Sequence, residues 1–204
     1  MASYCDVTFN RARLKDEIRS TYTRVAEQPD GDFHFHRGPD FAASILGYDR
    51  SELAQLPEFV TGPFAGVGNP LRIQELPGGA TVIDLGSGAG MDCLLAGRRV
   101  GAGGQVIGFD MTDAMLAKAR SGAEALGMPH VRFEKADIAE LPIEDGSVDV
   151  AISNGVINLS PDKPRVFTEL HRVLRGGGRV QFADIVIEAE LSADARNDID
   201  LWVG

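Results

Sequence analysis

Val82-Ile83-Asp84-Leu85-Gly86-Ser87-Gly88-Ala89-Gly90 runs from an apolar, β-branched stretch into alternating glycines, and residues 91–100 after it carry a helical pattern. Glycines at alternate positions turn the backbone sharply and let a ligand approach without Cβ atoms in the way. A strand, a glycine loop and a helix in that order form the ligand-binding turn of a parallel α/β sheet. The spacing discriminates further. A dinucleotide fingerprint would place its third glycine where Met91 stands, so Gly90 closes a tighter loop than a nicotinamide site uses. Asp84 sits at the C-terminal end of the strand, where a carboxylate can meet a cationic or hydroxylated ligand.

Outward from this loop, strands and helices alternate. Short apolar runs predict strands at 80–85, 105–109, 131–135, 148–153 and 178–186. Helices are predicted at 91–100, 112–126, 161–174 and 192–203, with Thr112 and Ser160 as N-caps, Pro161 at the first turn and Gly127 just past one end. This order implies a Rossmann-like, doubly wound, mostly parallel sheet over residues 79–204. Residues 1–78 read differently, as an N-terminal helical lid with substrate-side loops. Leu14, Ile18, Tyr22 and Val25 mark an amphipathic helix over 10–27. Short helices are predicted at 41–46 and 51–56, the second capped by Asp49 or Ser51. The stretch 57–69, with two prolines and three glycines, reads as an apolar loop of the kind that walls a site. Trp202-Val203-Gly204 falls within a helical pattern, and five strands are few for this fold, so further strands are expected beyond residue 204, the alternative being a compact five-stranded variant.

Composition narrows the function classes. With 204 residues, 44% of them hydrophobic and 25% charged, the chain reads as globular. Its net charge of −10 repels phosphate backbones, so nucleic acid is not the expected partner. Cys5 and Cys93 make neither a disulfide framework nor a zinc site. No apolar leader or 18-residue apolar run occurs, so a cytoplasmic protein off the membrane is expected. Oligomeric state leaves no signature.

Two more acids end predicted strands. Asp110, twenty residues past Gly90, can take both hydroxyls of a ribose, and Asp137 can accept from an adenine amine while Ile138 packs on the ring. The series Asp-x-Gly-x-Gly-x-Gly, Asp110 and Asp137 resembles the class I S-adenosylmethionine-dependent methyltransferases. The resemblance implies S-adenosyl-L-methionine as cofactor, held by Asp84, Gly86, Ser87, Gly88, Gly90, Asp110, Met111, Asp137, Ile138 and Asn154. It also puts Ser153-Asn154-Gly155-Val156 beside the transferable methyl.

A narrower resemblance is carried by Gly86 to Cys93, by Phe109-Asp110-Met111-Thr112, by 153–163, and by Leu46-Gly47-Tyr48 and Gly66-Val67-Gly68-Asn69-Pro70. These are similar to the arsenite methyltransferases, which bind trivalent arsenic through thiolates. Two of that family's cysteines would fall at Val67 and Gly155, and neither residue can replace a soft ligand. The expectation is therefore a methyltransferase acting on a small-molecule acceptor, arsenite methyltransferase-like in sequence but without the arsenic ligands. The alternative is a non-catalytic S-adenosylmethionine-binding sensor.

No residue stands out as the catalytic group. His34, His36 and Asn154 are the candidates, the histidines as bases over the acceptor. His34-Phe35-His36 lacks a third local ligand, so no metal is expected and surface or hydrogen-bonded histidines are the simpler reading. Tyr22 and Phe64 could line the site if the N-terminal region folds over the sheet edge, or could merely pack the lid. Arg98-Arg99 and His171-Arg172 read as solvated faces, and Cys93 as a small core residue.

Overall fold

Strands β1 (Thr81–Leu85), β2 (Gln105–Asp110) and β4 (Val148–Asn154) are buried almost throughout, as expected where helices cover both faces of a parallel sheet. With β3 (Val131–Lys135) and β5 (Leu174–Ala183) they form one sheet in the order β3-β2-β1-β4-β5, every neighbouring pair parallel. The computed structural model describes residues 10–188 together with Ser192 and Trp202. The helix expected at 192–203 lies outside the described residues apart from those two.

Side chains alternate across the strands and feed two cores. Val82, Val106, Val150 and Ile152 pack with helices α5 (Met91–Val100) and α6 (Asp113–Ala125) on one face. Ile83, Leu85, Ile107, Phe109 and Ala151 pack with α7 (Lys163–Val173) on the other. The first core also takes in Ala42, Tyr48, Leu53 and Val60 from the N-terminal segment, so both parts of the chain share it. That segment comprises α1 (Arg11–Glu27), α2 (Gly38–Ser44), α3 (Arg50–Leu53) and α4 (Glu58–Thr61). Asn10 and Asp49 cap α1 and α3 by accepting backbone N–H bonds.

Several expectations are corrected. A one-turn helix, α4, occupies part of the stretch read as loop, set between Pro57 and Pro63. Helix α7 is capped by Asp162, which accepts from the Arg165 N–H, and not by Ser160. Strand β5 starts directly at the end of α7, four residues before the expected position. Leu174 pairs with Val148 and Arg179 with Val150, and Gly176-Gly177-Gly178 form a bulge between these pairs instead of a loop before the strand. Arg98 and Arg99 are not a solvated face: they bond to Gln55, Glu52 and the Leu71 carbonyl, tying α3 to α5. Arg172 likewise bonds to Glu169, Asp145 and the carbonyls of Leu141 and Ile143.

Candidate cofactor and acceptor cleft

The chain winds outward from β1 through β2 to β3, then returns to place β4 on the other side of β1. Such a reversal opens a crevice beyond the carboxyl ends of the strands. A cleft lies there, with an empty volume of about 1060 Å³ counted out to its mouth. It is lined by the glycine loop, by Asp84, Asp110, Met111, Asp137 and Ile138, by Asn154-Gly155-Val156, and by Lys15, Ile18 and Tyr22 of α1. Among the residues singled out for the cofactor, only Gly90 is not on its wall. Gly90 caps α5 in a left-handed conformation, φ 92°, that a side chain would strain.

Three carboxylates surround the loop. Asp84 is buried and accepts from the Cys93 thiol at 3.2 Å. Burial, reinforced by the charge of Asp92, pushes Asp84 well above the usual carboxylate range. Asp92 is also raised by burial, although hydrogen bonds from Tyr48 and Asn154 oppose the shift. Asp110 is raised by burial against bonds from Thr112 N–H (2.8 Å) and Gly88 N–H (2.9 Å). Among the described residues none of these three acids is in an ion pair. Asp137 differs: burial acts to raise it, but bonds from Lys15 and the Ala139 N–H hold it below its ordinary value. The Cys93 thiol, buried beside Asp84, is pushed well above its usual range and stays protonated.

Asn154 has no free amide atom to offer chemistry. Its Oδ1 accepts from Val67 N–H (2.8 Å) and Gly68 N–H (3.1 Å). Its Nδ2, with two N–H bonds, lies within hydrogen-bond distance of three acceptors: the Gly68 carbonyl (2.9 Å), Asp92 (3.1 Å) and Tyr48 Oη (3.1 Å). Tyr48 in turn donates to Asp92 at 2.7 Å. This network clamps the 66–69 segment onto the end of β4. Gly66 makes the approach possible, because a Cβ there would lie 2.4 Å from Asn154 Nδ2. Tyr48 and Asp92 were absent from the sequence-derived site. An acid two residues past the last loop glycine was the available signal for Asp92; Tyr48, 106 positions from Asn154, offered none.

His34 and His36 are both exposed and neither lines the cleft; His36 stacks on Phe41 instead. Among the described residues no cluster of His, Cys, Asp and Glu could hold a metal ion. No helix among them is long and apolar enough to cross a membrane. Tyr22 and Phe64 do reach the cleft, with Val60, Pro63, Ala65, Val156 and Leu159 completing an apolar wall.

Residues 77–203 match the family described as a methyltransferase domain. The chain belongs to that family. An arsenite methyltransferase of Halobacterium salinarum is 45% identical to this methyltransferase domain over 159 residues, covering 78% of the chain and 40% of that protein. One of Aquipseudomonas alcaligenes is 40% identical over 168 residues, covering 79% and 48%. Among solved structures, an arsenic(III) S-adenosylmethionine methyltransferase from Chlamydomonas reinhardtii superposes with a TM-score of 0.65 at 40% identity, covering 72% of this chain and 51% of that one. The chain thus spans about half the length of the curated relatives it matches. The cofactor that goes with this methyltransferase domain is S-adenosylmethionine. The cleft suits it: a ligand carrying a sulfonium and an ammonium matches buried carboxylates that are in no ion pair among the described residues. Ser87 Oγ, buried and without a hydrogen-bond partner among the described residues, is a further polar atom for a ligand to satisfy.

Proposed function

We propose that this chain binds S-adenosylmethionine in the cleft and transfers its methyl group to a small-molecule nucleophile. The observation that carries the reading is the set of buried carboxylates, in no ion pair among the described residues, around a glycine loop at the sheet's reversal. In this reading Gly86, Ser87, Gly88 and Gly90 shape the loop against the cofactor, and Asp84 faces its amino-acid end. Asp110 with Met111 holds the ribose, and Asp137 with Ile138 holds the adenine.

When bound, the cofactor supplies a methyl already made electrophilic by the sulfonium. The protein's part is then positioning and exclusion of water. The Asn154 clamp fixes the 66–69 segment beside Gly155, and Val60, Pro63, Phe64, Ala65, Val156 and Leu159 keep that end of the cleft apolar. A low-dielectric wall of this kind favours a compact, partly apolar acceptor that brings its own electron pair, such as a thiolate or a stabilised carbanion. Relatives carry the name arsenite methyltransferase, but trivalent arsenic needs soft ligands. At the two positions where that family's cysteines would fall, this chain has Val67 and Gly155, and Cys93 is a buried thiol donating to Asp84.

Calorimetry with S-adenosylmethionine, followed by transfer assays with methyl-labelled cofactor and a panel of arsenite, thiols, phenols and quinols, tests this. Binding with transfer to an organic acceptor is expected. Failure to bind overturns the reading; binding with no transfer across the panel replaces it with the sensor; arsenite as the sole acceptor overturns the acceptor assignment.

A further inference from the structure

Helix α1 places Lys15, Ile18 and Tyr22 three and four residues apart on the face that roofs the cleft. Lys15 is paired with Asp137. Tyr22 is partly buried, and its ring is fixed from several sides. It stacks on Phe35 with centroids 6.0 Å apart and planes 19° apart. It also packs against the cluster of Leu14, Ile18 and Leu159, which Met111 joins, and against that of Val25, Ala89 and Met115. Ala89 belongs to the glycine loop and Met111 follows Asp110, so the ring is seated beside both.

The hydroxyl is different. Among the described residues it has no hydrogen-bond partner, and the charged group that acts on it is Asp110. Burial, with the Asp110 charge adding to it, pushes this phenol up to about 12. It is therefore an O–H donor at any ordinary pH. Asp110 offers the complementary capacity: a carboxylate has about four lone-pair directions, and its two oxygens accept from the Gly88 and Thr112 N–H groups at normal distances, with Met111 N–H and the Thr112 side chain adding to them. A sugar hydroxyl both donates and accepts. An ionised Asp110 can take its proton but cannot donate to its oxygen, and Tyr22 is the residue of the roof whose hydroxyl the Asp110 charge acts on.

We propose that Tyr22 is a cofactor-binding residue whose O–H donates to a ribose hydroxyl that itself donates to Asp110. The proposal rests on the reading that the cleft holds S-adenosylmethionine, and it gives the N-terminal helix a direct part in recognising the sugar. A tyrosine that only packs the roof would contribute through its ring alone.

The test compares the wild-type chain with Tyr22→Phe, which keeps the ring and removes only an unpartnered hydroxyl. Thermal unfolding without ligand is expected to be unchanged. Calorimetry uses S-adenosylhomocysteine and its 2′-deoxy and 3′-deoxy analogues. Tyr22→Phe is expected to bind S-adenosylhomocysteine about fivefold more weakly, with the difference vanishing for the analogue that lacks the contacted hydroxyl. Equal weakening for all three ligands, or none for any, overturns the proposal while leaving the cleft reading intact. Failure of the wild-type chain to bind S-adenosylhomocysteine overturns both.

Discussion

Val67 occupies the space that a side chain at Gly155 would enter: a Cβ built on Gly155 lies 3.1 Å from Val67 Cγ1. The two positions where the arsenite methyltransferases would carry cysteines are thus in contact in this fold, although 67 and 155 are far apart in sequence. A side chain introduced at Gly155 therefore depends on what stands at 67. Gly155 has φ 71°, so a cysteine there meets both backbone strain and the valine. Gly155→Cys alone should destabilise the protein by ~1–2 kcal/mol, with Val67→Cys relieving part of that cost by removing a methyl. The double variant should gain tight, stoichiometric binding of phenylarsine oxide, read by calorimetry or by loss of titratable thiols. Unchanged arsenical affinity would show that the two thiols do not converge.

Asp110 has two tasks, and a mutant series separates them. Asp110→Ala should weaken S-adenosylmethionine binding by ~1–3 kcal/mol through loss of a charged acceptor. It also removes the partner of the Gly88 and Thr112 N–H groups, so a lower melting temperature is expected. Asp110→Asn retains an acceptor oxygen and should recover stability more than affinity. Affinity equal to wild type in both variants would contradict the ribose assignment.

The clamp at Asn154 should be visible in stability rather than in cofactor affinity. Asn154→Ala leaves Asp92 and the Val67 and Gly68 N–H groups short of partners, and a loss of ~2–4 kcal/mol is expected in chemical unfolding. Asn154→Asp keeps the shape but sets a second carboxylate against Asp92, and should be at least as damaging. A melting temperature unchanged in both would mean the segment is held elsewhere.

Two pH dependences of opposite sign follow from the acids. Asp84 ionises only above its raised value, and a cationic ligand prefers it ionised. S-adenosylmethionine affinity should therefore fall on acidification at a pH above the ordinary carboxylate value of 3.8, and Asp84→Asn should flatten that dependence. For the ligand-free fold, the buried acid stabilises only while protonated, so its contribution is lost as pH rises through the raised value. A calorimetric pH series in both proteins decides it.

Glu169 has the reverse sign. Its bonds to Arg172, against a smaller opposing effect of burial, hold it at about 2 instead of 4.5. It stabilises the fold above 4.5, and that contribution drains away as pH falls toward 2. Acid unfolding of Glu169→Gln should lack this component; a midpoint identical to wild type would argue that Arg172 is held by Asp145 and the carbonyls alone.

The parallel sheet was legible because its signals are local. Runs such as Val106 to Phe109 are apolar on both faces, and the alternating glycines after Leu85 announce the turn. Boundaries failed where two local signals competed. Gly176-Gly177-Gly178 reads as a helix terminator, but the chain enters the strand at Leu174 and spends its glycines on a bulge. Ser160-Pro161 reads as a helix start, but the next acid, Asp162, is the cap. The cofactor wall was readable because each acid follows its own strand. The Asp92–Tyr48–Asn154 network was not, since a hydrogen bond between residues 106 positions apart leaves no periodicity behind. Lys15 was passed over for a related reason: it adjoins the apolar stripe of α1, and its partner Asp137 comes from the end of β3.

The pairing of Lys15 with Asp137 spans 122 positions, which bears on how the domain is built as it leaves the ribosome. Lys15 and Ile18 of the roof precede by a long stretch of chain the residues they close on, Asp137 and Leu159. Until Leu159 is made, Leu14 and Ile18 lack the buried partner of their cluster, whereas Val25 already has Ala89 and Met115. Closing so long a loop is entropically costly. A small molecule bridging roof and floor would hold the beginning of the chain to its later half, making its presence readable as protection of the N-terminal helix from proteases.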